Sequence, residues 1–335
     1  MRLVAIGGSD AGISAALRAR EIDPAAHVTV VLADAYPNFS ICGIPYYVSG
    51  EVTHWRNLAH RTVDELEATG MTLQLDRRAK HIDTDAHQVV ACGQDGEERL
   101  DYDALIIGTG ALPIRPPIAG LDRLGPEHGV HLLHSMGDTF ALMRSLEEPD
   151  IKRAVIVGAG YIGLEMAEAL TMRGLSVTQL EQLPEVLPTI DPELGALVRG
   201  ELERHDVQVS CDTRVEEIAT TSDGAAARLD VLATGPEGEP VRYPADVVLV
   251  VVGVCPDSEL AASAGAELGI KGAVLVDRQM RTSLPDVLAA GDCVVTHHRQ
   301  LGTSYLPLGT SRGGSRARTR LAAAASSPAA KAPKS

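Results

Sequence analysis

The sequence predicts an α/β protein of two doubly wound, parallel-sheet domains, the second inserted in the first. Three observations predict it. A strand, a glycine-rich turn, a helix and another strand follow one another at the N-terminus and again from residue 153. Hydrophobic residues make up 45% of the chain and aromatics only 3%, and short aliphatic runs of this kind suit parallel strands buried on both faces. Prolines at 113, 116 and 117 and a Gly253-Val254-Cys255-Pro256 stretch break the pattern where a chain would leave one sheet and later return.

Taken in order, Leu3–Ile6 reads as the first strand, Gly7-Gly8-Ser9-Asp10-Ala11-Gly12 as a turn, and Ile13–Glu21 as a helix with Ile13, Ala16 and Leu17 on one face. His27–Leu32 is the strand that completes the unit. Asp101–Gly110 is a strand running into Thr109-Gly110-Ala111-Leu112-Pro113. Arg153–Val157, the turn Gly158-Ala159-Gly160-Tyr161-Ile162-Gly163, the helix Leu164–Arg173 and the strand Ser176–Leu180 repeat the unit. Asp246–Val252 and Val287–Ala290 are further strands, the second ending at Gly291-Asp292. The expected domains are therefore 1–117, 118–250 as the insertion, and 251–310 as the return. Residues 311–335 hold six Lys or Arg and no acid, are rich in Ala, Ser and Pro, and read as a disordered basic tail with a short helix conceivable over 316–325.

The formal net charge of −15 argues against nucleic acid or an anionic membrane as a partner. No apolar run of membrane-spanning length occurs. Five scattered cysteines (42, 92, 211, 255, 293) show no metal-site spacing and fit a reducing, cytoplasmic setting.

The second glycine turn carries the full dinucleotide fingerprint. Gly158 makes the tight turn, Gly160 lets a pyrophosphate approach the backbone, and Gly163 packs the helix on the sheet. Glu181, at the end of the next strand, is placed to accept hydrogen bonds from an adenosine ribose and would repel a 2′-phosphate, which favours NADH over NADPH. The first turn is a variant, Gly7-x-Ser9-x-x-Gly12, with Asp34 as the nearest acid after its second strand. Asp10 inside that turn has no assignable role. Asp292 reads either as a helix or turn cap or as a partner of a flavin's ribityl hydroxyl. His297 and His298 read as surface residues and Trp55 as packing. Cys42 stands in Asn38-Phe39-Ser40-Ile41-Cys42-Gly43-Ile44-Pro45-Tyr46-Tyr47 with no second cysteine two to five places away. It is either a small buried hydrophobe or, beside a flavin, a thiol cycling through a sulfenate or a mixed disulfide.

Together the chain resembles the pyridine nucleotide–disulfide oxidoreductase family, most closely its single-cysteine branch of coenzyme A disulfide reductases and NADH oxidases or peroxidases. The resemblance spans about residues 1–310. It is carried by Gly7–Gly12, Cys42-Gly43-Ile44-Pro45-Tyr46, Thr109-Gly110-Ala111, Gly158–Gly163 with Glu165, Gly253-x-x-Pro256, Gly291-Asp292 and Tyr305-Leu306-Pro307-Leu308. It implies Rossmann-like domains. FAD would lie on Gly7, Gly8, Ser9, Asp10, Ala11 and Gly12, with Asp34, Thr109, Gly110, Gly253, Gly291 and Asp292 nearby. NADH would lie on Gly158, Gly160, Tyr161, Ile162 and Gly163 with Glu181, Tyr161 gating the nicotinamide and Glu165 near the flavin's working edge. Cys42 would be the redox centre, its thiolate favoured by the helix that follows. The oxidase-type members carry a histidine in the first turn where this chain has Asp10, which favours a disulfide acceptor over oxygen or peroxide. Tyr47 excludes the dithiol branch. Members continue into a domain that builds a homodimer, so the change of character near Thr310 suggests truncation or a shifted reading frame. Three readings follow: a reductase of a low-molecular-weight disulfide, an oxidase or peroxidase, or a truncated, inactive flavin-binding chain.

Overall fold

The structure, a computed structural model, describes residues 1–222, 227–297 and 304–305. The expected short basic helix, His298 and Leu306–Leu308 lie outside the described residues. The chain divides into two units, one made of Met1–Phe39, Ala59–Leu112 and the part from Cys255 on, the other of Ser40–Leu58 and Pro113–Val254.

In the first unit, five parallel strands run in the order Val287–Ala289, Ala104–Ile107, Arg2–Ile6, His27–Val31, Met71–Gln74. Alternation along the central strand explains its two faces. Leu3 and Ala5 pack with Ile13, Ala16 and Ala19 of the Asp10–Ile22 helix. Val4 and Ile6 point the other way, toward Ile82, Val89 and Ala91 of a three-stranded antiparallel meander, Arg78–Asp83, Gln88–Gly93 and Gly96–Asp101. A strand buried on both faces draws about 1.5–3 kcal/mol from each large aliphatic side chain it removes from water, which is why these runs carry no polar alternation.

The second unit repeats the plan. Its parallel order is Gln208–Ser210, Ser176–Leu180, Arg153–Val157, Val247–Val250, Val130–Leu132. Val155, Val157, Val248 and Val250 pack on Ile218, Leu229, Val231 and Ala233 of a second meander, Arg214–Thr220, Leu229–Thr234 and Pro240–Ala245.

Several elements differ from the bounds the sequence predicts. Both turn helices begin three residues earlier than expected, at Asp10 and Tyr161 rather than Ile13 and Leu164. The last glycine of each fingerprint therefore lies inside the first helical turn. The Asp101–Gly110 strand is shorter, Ala104–Ile107, because Asp101 ends the meander strand Gly96–Asp101 and Asp103 turns to accept from Arg2. The Asp246–Val252 strand begins at Val247, because Asp246 faces Arg153 and accepts bonds from the Lys152 and Arg153 amides. The Val287–Ala290 strand ends at Ala289. No helix among the described residues is long and apolar enough to cross a membrane.

Candidate functional site

The two glycine turns are built alike. Gly7 and Gly158 adopt φ of +109° and +104°, left-handed values that a side chain resists. A Cβ on Gly12 would stand 2.0 Å from the Gly7 carbonyl oxygen, and one on Gly163 would stand 2.2 Å from the Gly158 oxygen. The last glycine is thus needed where the helix meets the turn. Ser9 and Gly160 are the N-caps of their 13- and 12-residue helices, and neither helix has a side-chain cap. The first-turn amides at Asp10, Ala11 and Gly12, and at Tyr161, Ile162 and Gly163, are the groups that hold an anion at a helix N-terminus. A Cβ on Gly160 would meet nothing within 4 Å, so that glycine is not demanded by the chain's own packing. Gly8 is different: its Cβ would strike Leu32. The residues present fit a dinucleotide at each turn.

In the first unit the structure brings the expected partners to the turn. Gly7 lies against the carbonyl of Gly108, next to Thr109-Gly110. The Thr109 hydroxyl donates to the Asp257 carbonyl, and the Asp257 amide donates to the Gly110 carbonyl at 3.0 Å. Gly291, at φ +90°, would touch Ala11 with a Cβ at 3.3 Å, so the Gly291-Asp292 turn adjoins the first turn of the helix. Asp34 stands three residues beyond its strand and accepts from the Tyr36 amide at 2.9 Å. Burial holds its carboxyl above the usual range, against the lowering effect of that bond, with Asp76 adding to the rise.

Asp10 has a partner that the sequence did not disclose. Its Oδ1 accepts from the Asn38 side-chain amide at 3.2 Å, and the Asn38 backbone amide donates to the Gly8 carbonyl at 2.7 Å. Asn38 is buried and left-handed, with φ +56°. An asparagine before a cysteine motif is an ambiguous signal, because Asn enters left-handed turns readily without any function.

In the second unit, Glu181 is 6% exposed and accepts from the Ala159 amide at 2.8 Å and the Leu183 amide at 3.0 Å. The acid expected to face a ribose also braces the turn. Gln179, fully buried, donates to the Gly158 carbonyl at 3.1 Å. Tyr161 is exposed. Glu165, one turn along, is held above the usual carboxylate range by burial and by Glu168, although solvent reaches it. Gly253, at φ +108°, accepts from the Ile114 amide at 2.9 Å.

Cys42 belongs to this second unit. It lies in a short 3₁₀ turn, Ile41–Gly43, rather than in the helix, which starts at Ile44 with Pro45 in its first turn and ends at left-handed Gly50. Ile44 and Val48 are buried, and this helix packs on the Tyr161–Met172 helix. Arg173, at the end of that longer helix, donates to the Val48 carbonyl. Cys42 itself is exposed, so its reading as a buried hydrophobe fails. Cys255 is also exposed, Cys92 and Cys211 are half-buried, and Cys293 is fully buried. Burial and the Glu185 carboxylate push the Cys211 thiol up to about 11, and burial also raises that of Cys293.

The chain is similar to known proteins over most of its length. The chain is 32% identical over 297 residues to an NADH oxidase of Methanocaldococcus jannaschii, covering 88% of this chain and 63% of that protein. It is 33% identical over 317 residues to a CoA-dependent NAD(P)H sulfur oxidoreductase of Pyrococcus abyssi, covering 93% and 67%. The solved structure of an NAD-dependent persulfide reductase from A. fulgidus superposes with a TM-score of 0.87 at 36% identity, over 96% of this chain and 58% of that one. The chain thus spans somewhat under two thirds of the length of some of these relatives. The pyridine nucleotide-disulphide oxidoreductase model matches residues 1–326, beyond Thr310 where the resemblance was expected to stop. Members of this family depend on FAD and NAD(P)H. With two alike glycine turns and a match over nearly its whole length, the chain belongs to the pyridine nucleotide-disulphide oxidoreductase family.

Proposed function

We propose that this chain carries the dinucleotide-binding part of an FAD- and NADH-dependent reductase that acts on a low-molecular-weight disulfide or persulfide through Cys42. The observation that carries the reading is the exposed Cys42 thiol on a segment whose helix packs against the helix rising from the second glycine turn. The relatives named as sulfur and persulfide reductases support this acceptor class.

In this reading Gly7–Gly12, Thr109-Gly110 and Gly291-Asp292 hold FAD, and Gly158–Gly163 with Glu181 holds NADH. Residues 1–117 and 251–310 form the flavin domain and 118–250 the nicotinamide domain. The bound cofactors supply two electrons at a time from the nicotinamide to sulfur. The Cys42 thiolate attacks one sulfur of the substrate disulfide, the S–S bond breaks, and one thiol leaves. Two electrons and a proton then cleave the mixed disulfide, releasing the second thiol and restoring the Cys42 thiolate. Glu165, whose carboxyl burial and Glu168 hold above the ordinary range, stands on the same helix as the nicotinamide turn.

A second reading makes oxygen or peroxide the acceptor, with Cys42 as a sulfenate. The relative named NADH oxidase favours it. Steady-state assays separate the two. NADH oxidation driven by coenzyme A disulfide under argon, and abolished in Cys42→Ser, supports the disulfide reading. Turnover with oxygen alone, or disulfide turnover that survives Cys42→Ser, rejects it.

A further inference from the structure

Three successive pairings close the neck from which the Cys42 segment springs. The Asn38 carbonyl accepts from the His60 amide at 2.9 Å, Phe39 bridges Ala59, and the Ser40 amide donates to the Leu58 carbonyl at 2.8 Å. Asn38 ties this neck to the first glycine turn twice, through its backbone amide to Gly8 and through its side chain to Asp10. Its left-handed backbone redirects the chain at that point.

We propose that Asn38 is a positioning residue for Cys42, with Asp10 as its anchor in the first glycine turn. The proposal rests on the reading of Cys42 as the redox thiol. It assigns Asp10 a role that the fingerprint alone does not. Asp10 is the first residue of the Asp10–Ile22 helix, where a carboxylate is favoured by the helix dipole. Its Oδ1 is therefore an anchored acceptor, and a bond from an amide to a charged group is among the stronger neutral-donor contacts. Asn38 supplies the donor and, as a residue that tolerates positive φ, also the bend. The held quantity is the place where the chain enters Ser40-Ile41-Cys42.

The pair permits a reciprocal test. Asn38→Asp alone opposes two carboxylates. Asp10→Asn with Asn38→Asp restores an amide-to-carboxylate bond with donor and acceptor exchanged, and Asp also tolerates a left-handed backbone. The readouts need no turnover: hydrogen–deuterium exchange of the Asn38, Ser40 and His60 amides, and peptide-resolved alkylation of Cys42 by iodoacetamide, with Cys255 as the internal control. Asn38→Ala and Asn38→Asp are expected to speed neck exchange about tenfold, the equivalent of one lost hydrogen bond, and to change the Cys42 alkylation rate without changing that of Cys255. The double variant is expected to return both readouts to near the parent values. Parent-like Cys42 alkylation in both single variants, or no recovery in the double variant, overturns the proposal. Because both readouts concern the thiol and the neck, they stand apart from any failure of disulfide turnover.

Discussion

The Glu181 carboxylate accepts a hydrogen bond from the Ala159 amide at 2.8 Å, inside the glycine turn that opens the next helix. The residue that the fingerprint assigns to a ribose is thus also a brace of the glycine turn. Glu181→Ala leaves the buried Ala159 amide without its partner, a loss of about 1–3 kcal/mol. Glu181→Gln keeps one acceptor oxygen. Its amino group then opposes the other backbone donor, because the two carboxylate oxygens accept separately from Ala159 and Leu183, so the expected outcome is a lower melting temperature for both variants, the smaller fall for glutamine, and weaker NADH binding in both by isothermal titration.

The glycines of the second turn separate folding from binding. Gly163→Ala forces a methyl to 2.2 Å from the Gly158 oxygen, so the turn must deform and stability falls. Gly160→Ala meets nothing in the chain within 4 Å, so its melting temperature stays near the parent value. In the proposed reading its methyl would nevertheless stand where a pyrophosphate approaches. NADH affinity is expected to fall about tenfold or more, a difference of about 1.4 kcal/mol or greater, with flavin content unchanged. Unaltered NADH binding in Gly160→Ala contradicts the placement.

Much of this architecture was legible in the residues. Both glycine turns and the strands on either side follow from local pattern, because a positive φ at Gly7 and Gly158 and aliphatic runs leave few alternatives. The helix starts were misplaced because a fingerprint reads as loop, although its last glycine serves the first helical turn. The partnership of Asn38 with Asp10, the Arg173 bond to Val48 and the grouping of Ser40–Leu58 with the second unit were not legible. Each depends on which buried surfaces meet across long sequence separations, and no periodicity encodes that.

His131 provides a pH dependence. It is 1% exposed, its Nε2 pairs with the Ser145 hydroxyl at 3.0 Å, and burial lowers its pKa to about 4 from an ordinary 6.5. A depressed histidine favours the neutral folded form. Stability is therefore full above pH ~6.5 and declines as pH falls from there toward 4, by about 3 kcal/mol at most from this group. Urea midpoints measured across that window should fall in the parent, and the fall should be shallower in His131→Leu.

Arg153 and Asp246 form a second stability element. Burial alone would raise the Asp246 carboxyl, but the Arg153 side chain and the Lys152 and Arg153 amides hold it below its ordinary value. Its contribution is present above the unfolded value near 3.9 and is lost as pH falls through the folded one. Asp246→Ala strands the partly buried Arg153 and two amides and is expected to cost about 3–5 kcal/mol, read as a lower chemical-denaturation midpoint. A midpoint equal to the parent's contradicts the assignment.

The central claim, that Cys42 exchanges electrons with a small disulfide, is tested most directly by mass spectrometry of the protein after coenzyme A disulfide is added under argon. One coenzyme A adduct is expected on the Cys42 peptide, removed by stoichiometric NADH in the FAD-loaded protein and absent in Cys42→Ser. An adduct confined to Cys255, or one on Cys42 that NADH does not remove, would contradict it.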